Sequence, residues 1–160
     1  MQKHLIWASA TLALVIAACG GSSPASQASP ASSCINGSAA HHAYVVVEHL
    51  SGTSVQKCVG FAGDTIDGQS LMDQSGVEYQ AQTFSFGKAV CQVDNEPAQY
   101  NECFPKNQPT WWTFIEVGGA WTCAQTGFTA VKLHDKDAIG WRYILTADPC
   151  PTPPPVAQES

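Results

Sequence analysis

Six cysteines, Cys34, Cys58, Cys91, Cys103, Cys123 and Cys150, constrain the fold of this 160-residue chain more than any other feature. They are widely spaced and contain no Cys-x-x-Cys pair, which argues against a zinc ribbon or a thioredoxin-like site. In an exported chain such cysteines pair as disulfides. Many pairings are open to six cysteines, and spacing alone does not choose among them. The working assignment ties Cys34 to Cys150, Cys58 to Cys91 and Cys103 to Cys123. A Cys34–Cys150 bridge would close the whole domain and, on the chain-entropy model, stabilise it by about 4–5 kcal/mol.

A seventh cysteine, Cys19, stands apart. Met1 to His4 is a mildly basic start, and Leu5 to Ala18 is apolar and small without a charge. That run is too short to span a bilayer as a mature helix and fits the core of a secretory signal peptide. It ends in Ile16-Ala17-Ala18-Cys19-Gly20, which resembles the lipobox of bacterial lipoprotein precursors. The resemblance implies a cleaved signal peptide over 1–18 and a diacylglyceryl group on Cys19. It also implies a lipid anchor on the extracytoplasmic face of a bacterial membrane. With Cys19 lipidated, six cysteines remain and all can pair.

The segment after Cys19, residues 19–33, is rich in Gly, Ser, Pro and Ala and bears no charge. It cannot bury enough surface to fold and predicts a disordered tether with a reach of roughly 20 Å. Residues 151–160, proline-rich and polar at the end, predict an extended, disordered tail. Residues 34–150 between them suit one domain. The net charge of −6 comes with scattered Lys and Arg. Without a basic stripe, nucleic acid is not an expected partner.

Within the domain, Ala43 to Leu50 is β-branched and apolar on both faces, as in a central strand, and Val55 to Phe61 returns beside it. Asp67 is a suitable N-cap and Gly76 a suitable stop for one short helix over Gln69 to Gln74. Tyr79 to Phe86 and Ala89 to Val93 predict a strand pair broken at Gly87. Glu96 to Pro109 is a loop pinned by Cys103. Thr110 to Val117 is the strongest strand signal, turning at Gly118-Gly119 into Ala120 to Cys123. Ala130 to Leu133 and Ile139 to Leu145 close the chain as strands. The expected class is α+β and mostly β: a disulfide-bonded, mixed sheet crossed by one short helix.

Catalytic signatures are sparse: no Gly-x-Ser-x-Gly elbow, no His-Glu-x-x-His and no phosphate-cradling loop occurs. An enzyme is therefore not expected. His41-His42 reads as a solvated pair and His134-Asp135-Lys136-Asp137 as a charged turn. Glu48 and His49 point to opposite faces of a strand and cannot act as a pair. The aromatic side chains are more suggestive. Trp111, Trp112, Trp121, Trp141 and Tyr143, with Arg142 among them, concentrate late in the domain. They serve either as core or as a platform for a flat, partly apolar ligand, with Arg142 as a fixed charge. Adjacent Trp111 and Trp112 on a strand must face opposite ways.

Val45-Val46-Val47, Asp64-Thr65-Ile66, Gly76-Val77-Glu78-Tyr79, Phe86-Gly87 and Val90 to Asn95 form one ordered set of motifs. Trp111-Trp112-Thr113-Phe114, Val117-Gly118-Gly119 and Leu133 to Tyr143 continue it. The set is similar to a domain-of-unknown-function family related to the C-terminal domain of transcobalamin and intrinsic factor. Gly118 stands where that family often has Asn, and Lys136 where it often has Gly. The resemblance implies a β-grasp-like fold and a ligand of the cobalamin kind. Transcobalamin-type proteins hold cobalamin against a second, helical domain with no counterpart in residues 34–150, so the implied affinity is weak. The expected role is an extracytoplasmic binding domain for a small, partly apolar ligand, the alternative being a surface structural or protein-interaction module.

Lipidation is directly measurable. Labelled palmitate should enter the wild-type protein in a bacterial host and be absent from Cys19→Ser; equal labelling of both would refute the anchor.

Overall fold

The computed structural model describes residues 33–158, so Cys19, the segment before it and most of the tether lie outside the described residues. Strand β1 (His41–Glu48) pairs antiparallel with β2 (Ser54–Phe61) through a turn in which Gly52 takes a φ of 83°. After β2 the chain forms β3 (Ile66–Asp67), α1 (Gly68–Ser75), β4 (Tyr79–Phe84) and β5 (Gly87–Val93). It then forms β6 (Thr110–Val117), β7 (Ala120–Cys123), a 3-10 turn (Phe128–Ala130), β8 (Lys132–Leu133) and β9 (Ala138–Ile144).

The five-stranded sheet has the order β2-β1-β9-β6-β7. Only the β1–β9 pair is parallel. The first and last strands thus lie side by side at the centre, with a hairpin on each flank and a helix across one face. This is a β-grasp arrangement within the expected mostly-β, α+β class. Gly118 and Gly119 both have positive φ, the conformation that a tight hairpin between twisted strands demands. Lys136 also has a φ of 71°, which glycine would adopt with less strain.

The helix forms where the sequence signals placed it, beginning one residue earlier. Asp67 accepts from Ser70 N at 2.9 Å and from Ser70 Oγ at 2.8 Å. The Ser70 N–H, more than any other group, holds the Asp67 carboxyl below its usual range. Gly76 ends the helix at a φ of 73°. Leu71 and Met72 are fully buried against one sheet face with Val45, Val47, Val59, Ile139 and Trp141. A side chain at Gly68 would meet Phe128 O at 2.3 Å, so only glycine lets the helix start against the 3-10 turn.

Three expectations are corrected. The expected pair of β4 and β5 forms, as a two-stranded sheet of its own, but β4 ends at Phe84, leaving Phe86 in the turn, and β5 already begins at Gly87. The strand expected over Ala130 to Leu133 shrinks to Lys132–Leu133, paired with Ile66–Asp67. All six cysteines are bridged, but as Cys34–Cys58, Cys91–Cys103 and Cys123–Cys150. No Cys34–Cys150, Cys58–Cys91 or Cys103–Cys123 bridge exists. The physical reason is local. Ile35 lies along Val59 at the edge of β2, so Cys34 falls on Cys58 rather than on the far end of the chain. The three disulfides suit an oxidising, extracytoplasmic environment.

The tail also departs from expectation. It is extended but not free: Pro151, Pro154 and Pro155 are buried, and Pro154 sits against Gly140 and beside Trp121 on the sheet face opposite the helix. Cys123–Cys150 fixes its root, and Ala157 N donates to Glu116 Oε2 at 3.0 Å. Burial raises the Glu116 carboxyl above its ordinary range; the Ala157 N–H opposes this and nearby Asp137 adds to it. A carboxyl with a raised folded value favours folding while protonated and loses that contribution as pH rises through the folded value. Glu116→Gln, which still accepts the Ala157 N–H, should therefore unfold at higher urea than wild type at about pH 8, with the gap narrowing towards about pH 4. A gap that widened on acidification would contradict this.

Candidate functional site

The most ligand-like surface is built at the turn of the β4–β5 hairpin. Gly87 has a φ of 116°, and the turn places Phe84 and Phe86 side by side with stacked rings 5.4 Å apart. The Cys91–Cys103 disulfide draws the loop of residues 96–109 onto β5 and seats Phe104 beside them. Its ring lies 5.1 Å from Phe84 and 6.2 Å from Phe86. Phe86 is 50% exposed and Phe104 43% exposed. Large apolar side chains scattered singly over a surface need no explanation, but a packed group bordering a cleft does.

The cleft behind these rings holds about 230 Å³. Its far wall is the 110–113 stretch of β6, and its side is the loop of residues 124–128. That loop is clamped to the hairpin by Gly127 N donating to Phe86 O at 2.9 Å. A Cβ on Gly127 would lie 2.5 Å from Lys88 N, so glycine is required for this close approach. A second cavity of about 330 Å³ lies along residues 97–109. Gln99, Tyr100, Asn101 and Gln108 line it, so it offers amides and a phenol where the cleft offers aromatic rings.

The aromatic set singled out in the sequence is divided by the sheet. Trp111, Trp141 and Tyr143 belong to the helix-side core, with Trp141 fully buried. Trp112, Trp121 and Arg142 stand on the opposite face, as the pairings of Trp112 with Arg142 and of Glu116 with Trp121 require. The expected opposition of Trp111 and Trp112 is therefore observed. A single platform made of Trp111, Trp112, Trp121, Trp141 and Tyr143 is not formed. Of these, Trp111 and Trp112 border the cleft. Arg142 is not a free charge: it pairs with Glu48 at 3.3 Å and donates to Thr152 O at 2.8 Å. Burial raises the Glu48 carboxyl, and Arg142 partly offsets the rise.

Two groupings escaped the sequence. Phe86 entered only through the Phe86-Gly87 motif and Phe104 through none, and neither was read as part of a site, because only the disulfide and the hairpin bring them together. His49, unable to pair with Glu48, instead meets Glu96 at 2.7 Å and packs edge-on against Trp111. Trp111 Nε1 donates to Glu96 O at 2.8 Å, and Trp111 lies 4.9 Å from Tyr143. Burial, then the Glu96 charge, raises the Tyr143 phenol. The His134 to Asp137 segment is a turn exposed at His134, Asp135 and Lys136 and buried at Asp137: His42 N donates to Asp135 Oδ1 and His134 N to Asp137 Oδ2, each at 2.8 Å. Among the described residues no group of three or more His, Cys, Asp or Glu is placed to hold a metal ion.

No protein-family model matches this chain, and no curated protein does. Among solved structures that match is one described as a "putative metal binding protein" from Ruminococcus gnavus. It is 17% identical over 66% of this chain and 98% of its own, with a TM-score of 0.49.

The disulfide at the cleft has a measurable role. Closing the short loop between Cys91 and Cys103 should contribute about 3 kcal/mol on the chain-entropy model. Cys91→Ala with Cys103→Ala should lower urea stability by about that much. It should also raise hydrogen exchange in residues 98–108 before the rest of the domain. Unchanged exchange there would show that the loop is held by other contacts.

Proposed function

We propose that this chain is a lipid-anchored, extracytoplasmic binding domain. A small, partly apolar ligand enters the cleft between Phe86, Phe104 and β6. The observation that carries the reading is the half-exposed phenylalanine group at the mouth of that cleft. Burying an aromatic ring against two others gives contact area and edge or face complementarity without ordering flexible side chains. The disulfide and Gly127 supply rigidity, so little conformational entropy is lost on binding. Cys19 would supply the anchor, and a short tether would hold the cleft near the membrane surface.

The transcobalamin resemblance makes tetrapyrroles the first ligands to try. About 230 Å³ accommodates a ring or two rather than a whole corrin. Cobalamin would lie across Phe86 and Phe104 with one edge or side group in the cleft, and would bind weakly. A second reading, docking of a surface protein, draws on the same exposed rings, since aromatic groups of this kind anchor interfaces.

The test is calorimetric titration of the purified protein with cobalamin, cobinamide and haem, repeated on Phe86→Ala and Phe104→Ala. Both positions are substantially exposed, so each variant should stay within about 0.5 kcal/mol of wild-type stability. Affinity for any ligand that binds should fall by about ten-fold or more, equivalent to roughly 1.4 kcal/mol. Saturable binding that neither substitution weakens would place the site elsewhere. No binding of any of the three would remove the tetrapyrrole reading.

A further inference from the structure

The sheet face opposite the helix is shaped around an extended peptide. Its occupant is the chain's own segment Pro151 to Gln158. Strand β9 carries Gly140 at the middle of that face, where a Cβ would meet both Pro154 Cγ and Trp121 at 2.7 Å. The absent side chain leaves a slot for a proline ring beside an indole. Arg142 reads a peptide carbonyl at Thr152, and Glu116 reads a peptide N–H at Ala157. The Gln56 side chain reads both backbone groups of Gln158, its Nε2 donating to the carbonyl while Gln158 N donates to Oε1 at 2.7 Å. These contacts recognise backbone and proline rather than particular side chains. Aromatic-lined grooves bind proline-rich segments in this way because the polyproline conformation is already formed.

A second observation shows that the tail leaves this groove incompletely matched. The indole Nε1 atoms of Trp112 and Trp121 on this face are buried and have no hydrogen-bond partner among the described residues. Buried donors of this kind are costly unless an acceptor reaches them. A peptide carbonyl in a slightly different register would serve either one.

We propose that this face is a binding groove for an extended, proline-rich segment of another polypeptide, and that the tail fills it in cis until such a segment displaces it. The groove is on the other side of the sheet from the core aromatics, and the proposal does not depend on the ligand of the cleft. A tail rooted at Cys150 competes at an effective concentration of about millimolar order, so an incoming peptide must satisfy groups the tail does not. The two indole donors are such groups.

The experiment uses the full chain and the peptide Pro-Thr-Pro-Pro-Pro-Val-Ala-Gln with blocked ends. Pro154→Ser combined with Ala157→Pro empties the slot and removes the N–H that Glu116 accepts. The Gln158 amide should then exchange at least about ten-fold faster than in wild type. In this opened protein the peptide should bind saturably, with the indole N–H resonances of Trp112 and Trp121 shifting, and at least about ten-fold more tightly than in wild type. The free peptide, unlike the tail rooted at Cys150, can shift register and bring a carbonyl to the Trp121 donor, so adding Trp121→Phe, which keeps an aromatic ring but removes that donor, should weaken the peptide several-fold while leaving the disulfides and the circular dichroism spectrum unchanged. Adding Gly140→Val should abolish binding. Unchanged Gln158 exchange overturns the proposal. So does the absence of saturable indole shifts in the opened protein, or equal affinity in opened and wild-type forms.

Discussion

Strand β1 lies parallel to β9, and everything else in the domain is arranged around that contact. Val45 stands against Ile139 and Val47 against Trp141, all fully buried. A parallel pair cannot be closed by a tight turn and needs a long crossover. Here the crossover is nearly the whole domain: the helix, the second hairpin, the disulfide-pinned loop and strands β6 and β7. The intervening chain returns partly over one face, as the helix and the β4–β5 hairpin, and partly into the sheet, as β6 and β7. The two-sided apolar character of β1 is the consequence, because both faces of a central strand must be covered.

The two faces are covered by different means. The helix, the β4–β5 hairpin and the 3-10 turn cover one with Leu71, Met72, Val90 and Phe128. The other is closed by a proline-rich strap and the Cys34–Cys58 and Cys123–Cys150 bridges. A helix can only pack by burying an apolar stripe. An extended proline-rich strap brings backbone carbonyls and N–H groups with it, which is why Glu116, Gln56 and Arg142 face it. Buried carboxylates on this side are tolerable because each finds a donor, Arg142 for Glu48 and Ala157 N–H for Glu116.

The same division separates two kinds of surface. The phenylalanine cleft lies at the end of a hairpin and is framed by a disulfide and a glycine contact, which suits a small rigid ligand. The tail groove lies along strands and reads backbone, which suits a chain. The adjacent tryptophans of β6 both border the cleft, while alternation along the strand puts Trp112 alone of the two on the tail face.

The sequence by itself determined most of the elements and several of their ends: Asp67 and Gly76 bound the helix, Gly118-Gly119 makes the hairpin turn, and Thr110 to Val117 forms a strand. These features are local, set by side-chain periodicity, capping and left-handed backbone positions, and so they are legible without neighbours. The bridging of all six cysteines was legible from their number, whereas their partners were decided by which strand edges came together. The aromatic set was legible as a group but not as a site. Strand order and pairing register sent Trp141 into the core, turned Trp121 and Arg142 towards the tail, and brought Phe86 and Phe104 together from separate loops. Proximity across a fold is decided by long-range pairing, which no short stretch of sequence encodes. That is why the cleft, the His49–Glu96 contact and the docked tail belong to the tertiary structure alone.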